Sequence, residues 1–137
     1  MIRKNTISLL AMSAVSALAL GATAAAPSSA LPAVAAQSCP AVGNSSSGAD
    51  HISVTFHNQS VTVTARVNDS GPGATALYVT TFAGTKDLAV ASSSPVDQRS
   101  RTVSFTVPAK VRGGADSVGY FVRTTIGATS ETAYCYR

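Results

Sequence analysis

HISVTFHNQSVTVTARVND, residues 51–69, alternates apolar and polar side chains twice over. Ile52, Val54 and Phe56 interleave with His51, Ser53, Thr55 and His57; Val61, Val63, Ala65 and Val67 interleave with Thr62, Thr64, Arg66 and Asn68. A period of two is the mark of strands with one face buried and the other wet. Asn58-Gln59 between the runs predicts a hairpin, although Gln is less suited than Gly to a tight primed turn.

The rest of the chain continues the pattern. Asp69-Ser70-Gly71-Pro72-Gly73 must form a loop. ATALYVTTFAG reads as a strand closed by Gly84, and KDLAVAS as a weaker one. After the loop SSSPVDQRS comes RTVSFTVPA, with Val103, Phe105 and Val107 on one face and Pro108 ending it. KVRGGADS is a loop, SVGYFVRTTI a strand with Val118, Tyr120, Val122 and Ile126 expected inward, and ETAYCYR the last strand. No apolar 3.6-residue repeat runs over three turns. About seven short strands with turn signals between them predict an all-β domain, a two-sheet sandwich ahead of a small barrel. Strand count and loop order resemble a small immunoglobulin/fibronectin-III-like two-sheet sandwich, at the level of the fold alone. The chain has no Trp and no cysteine pair placed as in the middle strands of antibody domains.

The first residues belong to a different problem. Arg3 and Lys4 precede an apolar run from Ile7 to Leu20 and then small residues, the form of a secretory signal peptide. The expected signal peptide is 1–36, with cleavage after residue 24 as the alternative; 37–50 is expected to be an arm carrying Cys39, and 51–137 the sandwich. The apolar run is too rich in Ala, Ser and Gly for a membrane anchor. Residues 36–38 lack the small apolar pattern that lipidation of Cys39 needs. Two cysteines in an exported chain are most simply one disulfide, so Cys39 and Cys135 are expected to pair and to hold both ends of the domain. Which face of the last strand is buried, Cys135 or Tyr134 and Tyr136, stays open at this point.

Two of the ten basic residues, Arg3 and Lys4, fall in the leader, leaving eight Lys/Arg against six Asp/Glu. That slight excess gives no case for nucleic acid. After signal cleavage no membrane segment remains. Asn-x-Ser triplets occur at Asn44, Asn58 and Asn68. His51 and His57, six strand residues and roughly 20 Å apart, cannot share a metal along a straight strand, so no metal or cofactor is expected. Asp69-Ser70-Gly71 resembles the neighbourhood of the nucleophile in chymotrypsin-like proteases; Pro72 departs from that pattern, and no matching histidine context exists. There is no Gly-x-Ser-x-Gly and no P-loop. Arg99 and Arg101 end one loop and Lys110 and Arg112 lie in the next; if those loops met, four cations would form a patch for an anionic partner. The expectation is a secreted, non-enzymatic binding module closed by one disulfide, with an extracellular protein or cell-surface polymer as partner and its contacts in the loops. The alternative is a protease inhibitor presenting the arginines of residues 92–101 to a trypsin-like pocket. Tyr134 and Tyr136, on one strand face, are the candidates for stacking on a sugar.

Overall fold

A computed structural model describes residues 35–137; the expected leader and its cleavage sites lie outside the described residues, apart from residues 35 and 36. Nine strands follow in order: β1 Gln37–Cys39, β2 Val42–Gly43, β3 Ser47–Phe56, β4 Ser60–Asp69, β5 Thr75–Ala83, β6 Lys86–Ser92, β7 Ser100–Pro108, β8 Ser117–Thr124 and β9 Ala133–Tyr136. They form two antiparallel sheets. Sheet one runs β1-β3-β4-β7, with β2 also on the outer side of β3; sheet two runs β9-β8-β5-β6. The strands of four residues or more, β3 to β9, number seven, as the sequence predicts. Lettered A to G in chain order, they give sheets A-B-E and D-C-F-G. The fourth strand thus pairs with the third, whereas in the constant-type immunoglobulin arrangement it pairs with the fifth.

The hairpin at 51–69 is present, and its register explains the alternation. Val54 faces Val63 and Phe56 faces Val61 across β3 and β4. These four side chains, with Ile52, Ala65 and Val67, are at most 2% exposed. Leu77 and Val79 of β5 and Val118, Tyr120 and Val122 of β8 bury the facing layer. Full burial of such side chains contributes roughly 1.5–3 kcal/mol each. That sum drives the sheets together against the entropy of ordering the chain.

Three expectations need correction. The boundary between arm and sandwich falls inside a strand, because β3 starts at Ser47. The cause is a bulge between Asp50 and Ser53, with His51 at φ 49°. Ala49 and Ile52 both face the core although three residues apart. The extra residue shifts the alternation by one, so the pattern reads as starting at His51. Before it, Gln37–Cys39 and Val42–Gly43 pair with β3, so the arm is strand over part of its length. Ile126 lies beyond β8 and is 65% exposed, not inward.

The disulfide is formed. Cys39 on β1 and Cys135 on β9 stand 5.7 Å apart at Cα, 96 residues apart in sequence. Because β1 edges sheet one and β9 edges sheet two, the bond closes one side of the sandwich. Cys135 faces the core, while Tyr134 and Tyr136 face solvent, which decides the question left open by alternation. Tyr120 reinforces the same side: its ring is buried and its hydroxyl donates to the Pro40 carbonyl at 2.6 Å. Burial pushes the Tyr120 phenol up to about 12.

Candidate functional site

The outer face of sheet two collects the aromatic residues that the core does not use. Along β5, inward Leu77, Val79 and Thr81 leave Tyr78 and Phe82 outside. Along β8, inward Val118, Tyr120 and Val122 leave Gly119, Phe121 and Arg123 outside. On β9, inward Cys135 sends Tyr134 and Tyr136 outward. The chain holds four Tyr and four Phe. Three of these eight, Phe56, Phe105 and Tyr120, point inward; the other five share this one face.

Register sets how the rings meet. Tyr78 and Phe121 are direct cross-strand partners, and their rings stack at 5.4 Å with 5° between planes. Such pairs contribute roughly 0.5–1.5 kcal/mol beyond area burial. The Arg123 guanidinium sits 5.6 Å from the Tyr78 ring centre and 5.9 Å from that of Phe121, within cation–π range. Tyr134 lies 6.2 Å from Phe82 and 6.5 Å from Tyr136. Gly119, opposite Tyr134 in the ladder, makes this possible: a Cβ there would stand 2.9 Å from Tyr134 Cε1 and 3.1 Å from Phe82 Cε2. The rings therefore cross a floor that only glycine leaves open. Tyr134 is 48%, Tyr136 68% and Val90, at the far side of the same face, 64% exposed. Between Ser117 and Arg123 the face runs about 20 Å along β8.

The cationic residues do not form the expected patch. Arg99 and Arg101 lie at the start of β7, whereas Lys110 and Arg112 follow its end. Nine residues of extended strand, roughly 30 Å, separate the pairs. The loops divide the same way. DSGPG and SSSPVDQRSR meet at one end of the sandwich, where Gln98 Nε2 donates to the Gly71 carbonyl at 2.6 Å. KVRGGADS lies at the opposite end, where the Ala109 N–H donates to the Gln59 carbonyl.

Asp69 organises that first end. It is 3% exposed and accepts from Thr75 Oγ1 at 2.6 Å and from the Gln98 N–H at 2.8 Å. Its own N–H donates to the Arg99 carbonyl at 2.9 Å. Val96, fully buried, exchanges two backbone hydrogen bonds with Thr75. The segment 92–101 is thus folded into the end of the sandwich. Ser70 belongs to the same loop packing: its N–H donates to the Ser46 carbonyl and its hydroxyl to the Ser45 carbonyl.

The histidines have local partners. His51 Nδ1 is 2.9 Å from Asp50 Oδ1, and Arg66 donates through Nε and Nη2 to both Asp50 oxygens at 2.9 Å. First through the Arg66 hydrogen bond and then through His51, this contact holds the Asp50 carboxyl well below the usual carboxylate range. His57 Nε2 lies 3.1 Å from Thr62 Oγ1. Among the described residues no three His, Cys, Asp or Glu side chains converge.

No protein-family model matches the chain, and no curated protein matches it significantly. Among solved structures it is similar to a part of β-glucosidase 3B from Thermotoga neapolitana in complex with α-D-glucose, at 14% identity and a TM-score of 0.37. The match covers 65% of this chain and 16% of the glucosidase chain.

Proposed function

We propose that the protein is a secreted, non-enzymatic binding module that holds a cell-surface polysaccharide on the outer face of sheet two. One observation carries this reading: five of the eight aromatic side chains stand on that face, two of them wide open to solvent. A side chain that fills no core and yet costs exposure needs another reason to be there, and large exposed apolar patches mark interaction sites. Tyr offers a broad apolar ring with a polar tip and little rotamer entropy to lose. Sugar rings present apolar faces edged by hydroxyls, which suits that combination, and a regular sheet presents the rings without reorganising. The disulfide supports an extracellular setting, since such bonds persist in oxidising compartments.

Protease inhibition through residues 92–101 has less support. An inhibitor offers its specificity residue on an accessible extended backbone. Here the Arg99 carbonyl is occupied by the Asp69 N–H, and Arg101 is held in the ladder opposite Val67.

The test is retention on insoluble chitin, cellulose and the producer's own cell wall. Replacing both Tyr134 and Tyr136 by Ala should weaken retention about 5- to 30-fold, the size of losing one or two kcal/mol at an interface. Retention should change little with salt. Unchanged retention of the double variant, or no retention of the native protein on any of the three polymers, defeats the reading.

A further inference from the structure

The two edge strands on the side opposite the disulfide differ in a way the aromatic face does not explain. β6 carries Lys86 and Asp87, and its register against β5 breaks between Thr81 and Phe82. Charges and irregular register are devices that keep an edge from pairing with a stray strand. β7 has neither. It is nine residues long, pairs with β4 without a break from Ser60–Pro108 to Asn68–Ser100, holds no Lys, and reaches its single proline only at the last position. Its other edge has no strand partner among the described residues.

The core beside that edge is also incompletely covered. Inward apolar side chains of β4 are at most 1% exposed, whereas Val103 and Phe105 in the same layer of β7 are half-buried. A groove of about 290 Å³ opens there between Ser92–Ser94 and Arg101–Phe105. Arg101 is its one charged lining residue. Neither Arg101 nor Arg99 forms an ion pair among the described residues, including with Asp97 on the same loop.

We infer that the free edge of β7 receives an extended acidic peptide segment of a partner protein, through backbone pairing along Ser100–Thr106, inward side chains over Val103 and Phe105, and a carboxylate against Arg101. Strand addition of this kind draws affinity from main-chain hydrogen bonds and selectivity from alternate side chains. The positive charge at the start of the groove selects an acidic segment and sets its direction. This site is independent of the polysaccharide face.

The experiment titrates the whole secreted protein with a fluorescent octapeptide, Glu-Asp-Val-Thr-Val-Thr-Val-Thr, and with its Lys-Lys-leading counterpart. The acidic probe should bind, with new hydrogen-exchange protection confined to β7. Arg101→Glu should weaken it about tenfold or more and favour the lysine probe. Arg99→Glu, at a position outside the ladder, should act in the same direction if the first variant folds poorly. Replacing Tyr134 by Ala should leave peptide binding intact, which separates this result from the polysaccharide test. Equal binding of both probes, or protection elsewhere, overturns the inference. So does a concentration-dependent dimer with protected β7 amides and no probe binding, which would make the occupant a second copy of the chain.

Discussion

The outer faces of the two sheets share one core and differ in almost everything else. Sheet one turns hydroxyls and a few charges outward: Thr64 Oγ1 lies 3.0 Å from Ser104 Oγ, Thr62 and Thr106 are neighbours, and Asp50 pairs with Arg66. These groups satisfy one another across the strands. Sheet two turns outward a run of rings that the core does not need. Its rings are stacked on one another, roofed by Arg123 and fitted over Gly119. The difference shows that sandwich stability and surface chemistry were set separately here. Alternation fills the interior from both sheets, and only one exterior was given apolar weight.

The largest expected effect comes from the bond that holds the aromatic face in place. β9 carries Tyr134 and Tyr136, is four residues long, and pairs on one side only. Its hold on the rest of the domain depends heavily on Cys135. Replacing Cys39 and Cys135 together by Ser should cost about 2–5 kcal/mol in urea unfolding; the chain-entropy argument for a loop near 100 residues gives roughly 4.7. Polymer retention should fall with it, because β9 frays. If the variant keeps full retention at a temperature where it is folded, β9 is not the binding strand.

The two faces should also answer differently to pH. Tyr120 lies just beneath sheet two, and its phenol is raised in the folded state from about 10 to about 12. A raised group holds its proton more tightly when folded. Its stabilisation is therefore complete below pH 10 and lost as pH climbs through 12. Tyr120→Phe should flatten that alkaline limb. On sheet one Asp50 is shifted the other way, so its contribution is present above about pH 4 and lost below it. The contact is at the surface, worth about 0.2–1 kcal/mol. Asp50→Asn should remove this smaller acid limb and leave the alkaline one unchanged. Both follow from unfolding curves recorded between pH 2 and 12.

Much of the fold was legible because the sheets are two-sided. HISVTFH and SVTVTARVND have a clean period of two, and their pairing, inward residues and hairpin all follow from it. Two cysteines near the ends of the domain left one pairing. Legibility failed where local rules break. The bulge at Asp50–His51 shifts the phase of β3 and hides its first turn of strand. ALYVTTFA and VGYFVR mix apolar residues on both faces, so which aromatics face outward is not readable until the inward set is fixed. Tyr134 and Tyr136 were placed on a common face by spacing, but only the core position of Cys135 makes that face the outer one. The proposed cationic patch failed for a simpler reason. Loops adjacent in sequence across one strand lie at opposite ends of it, as Arg99 and Lys110 do either side of β7.

Amide-shift mapping of the native protein with soluble oligosaccharide from a retaining polymer tests the division of labour between the faces most directly. Shifts confined to Gly119, Phe121, Arg123, Tyr134 and Tyr136, with Thr62, Thr64 and Arg66 silent, are the predicted result. Shifts on the threonine face, or none on β8 and β9 at saturation, would contradict it.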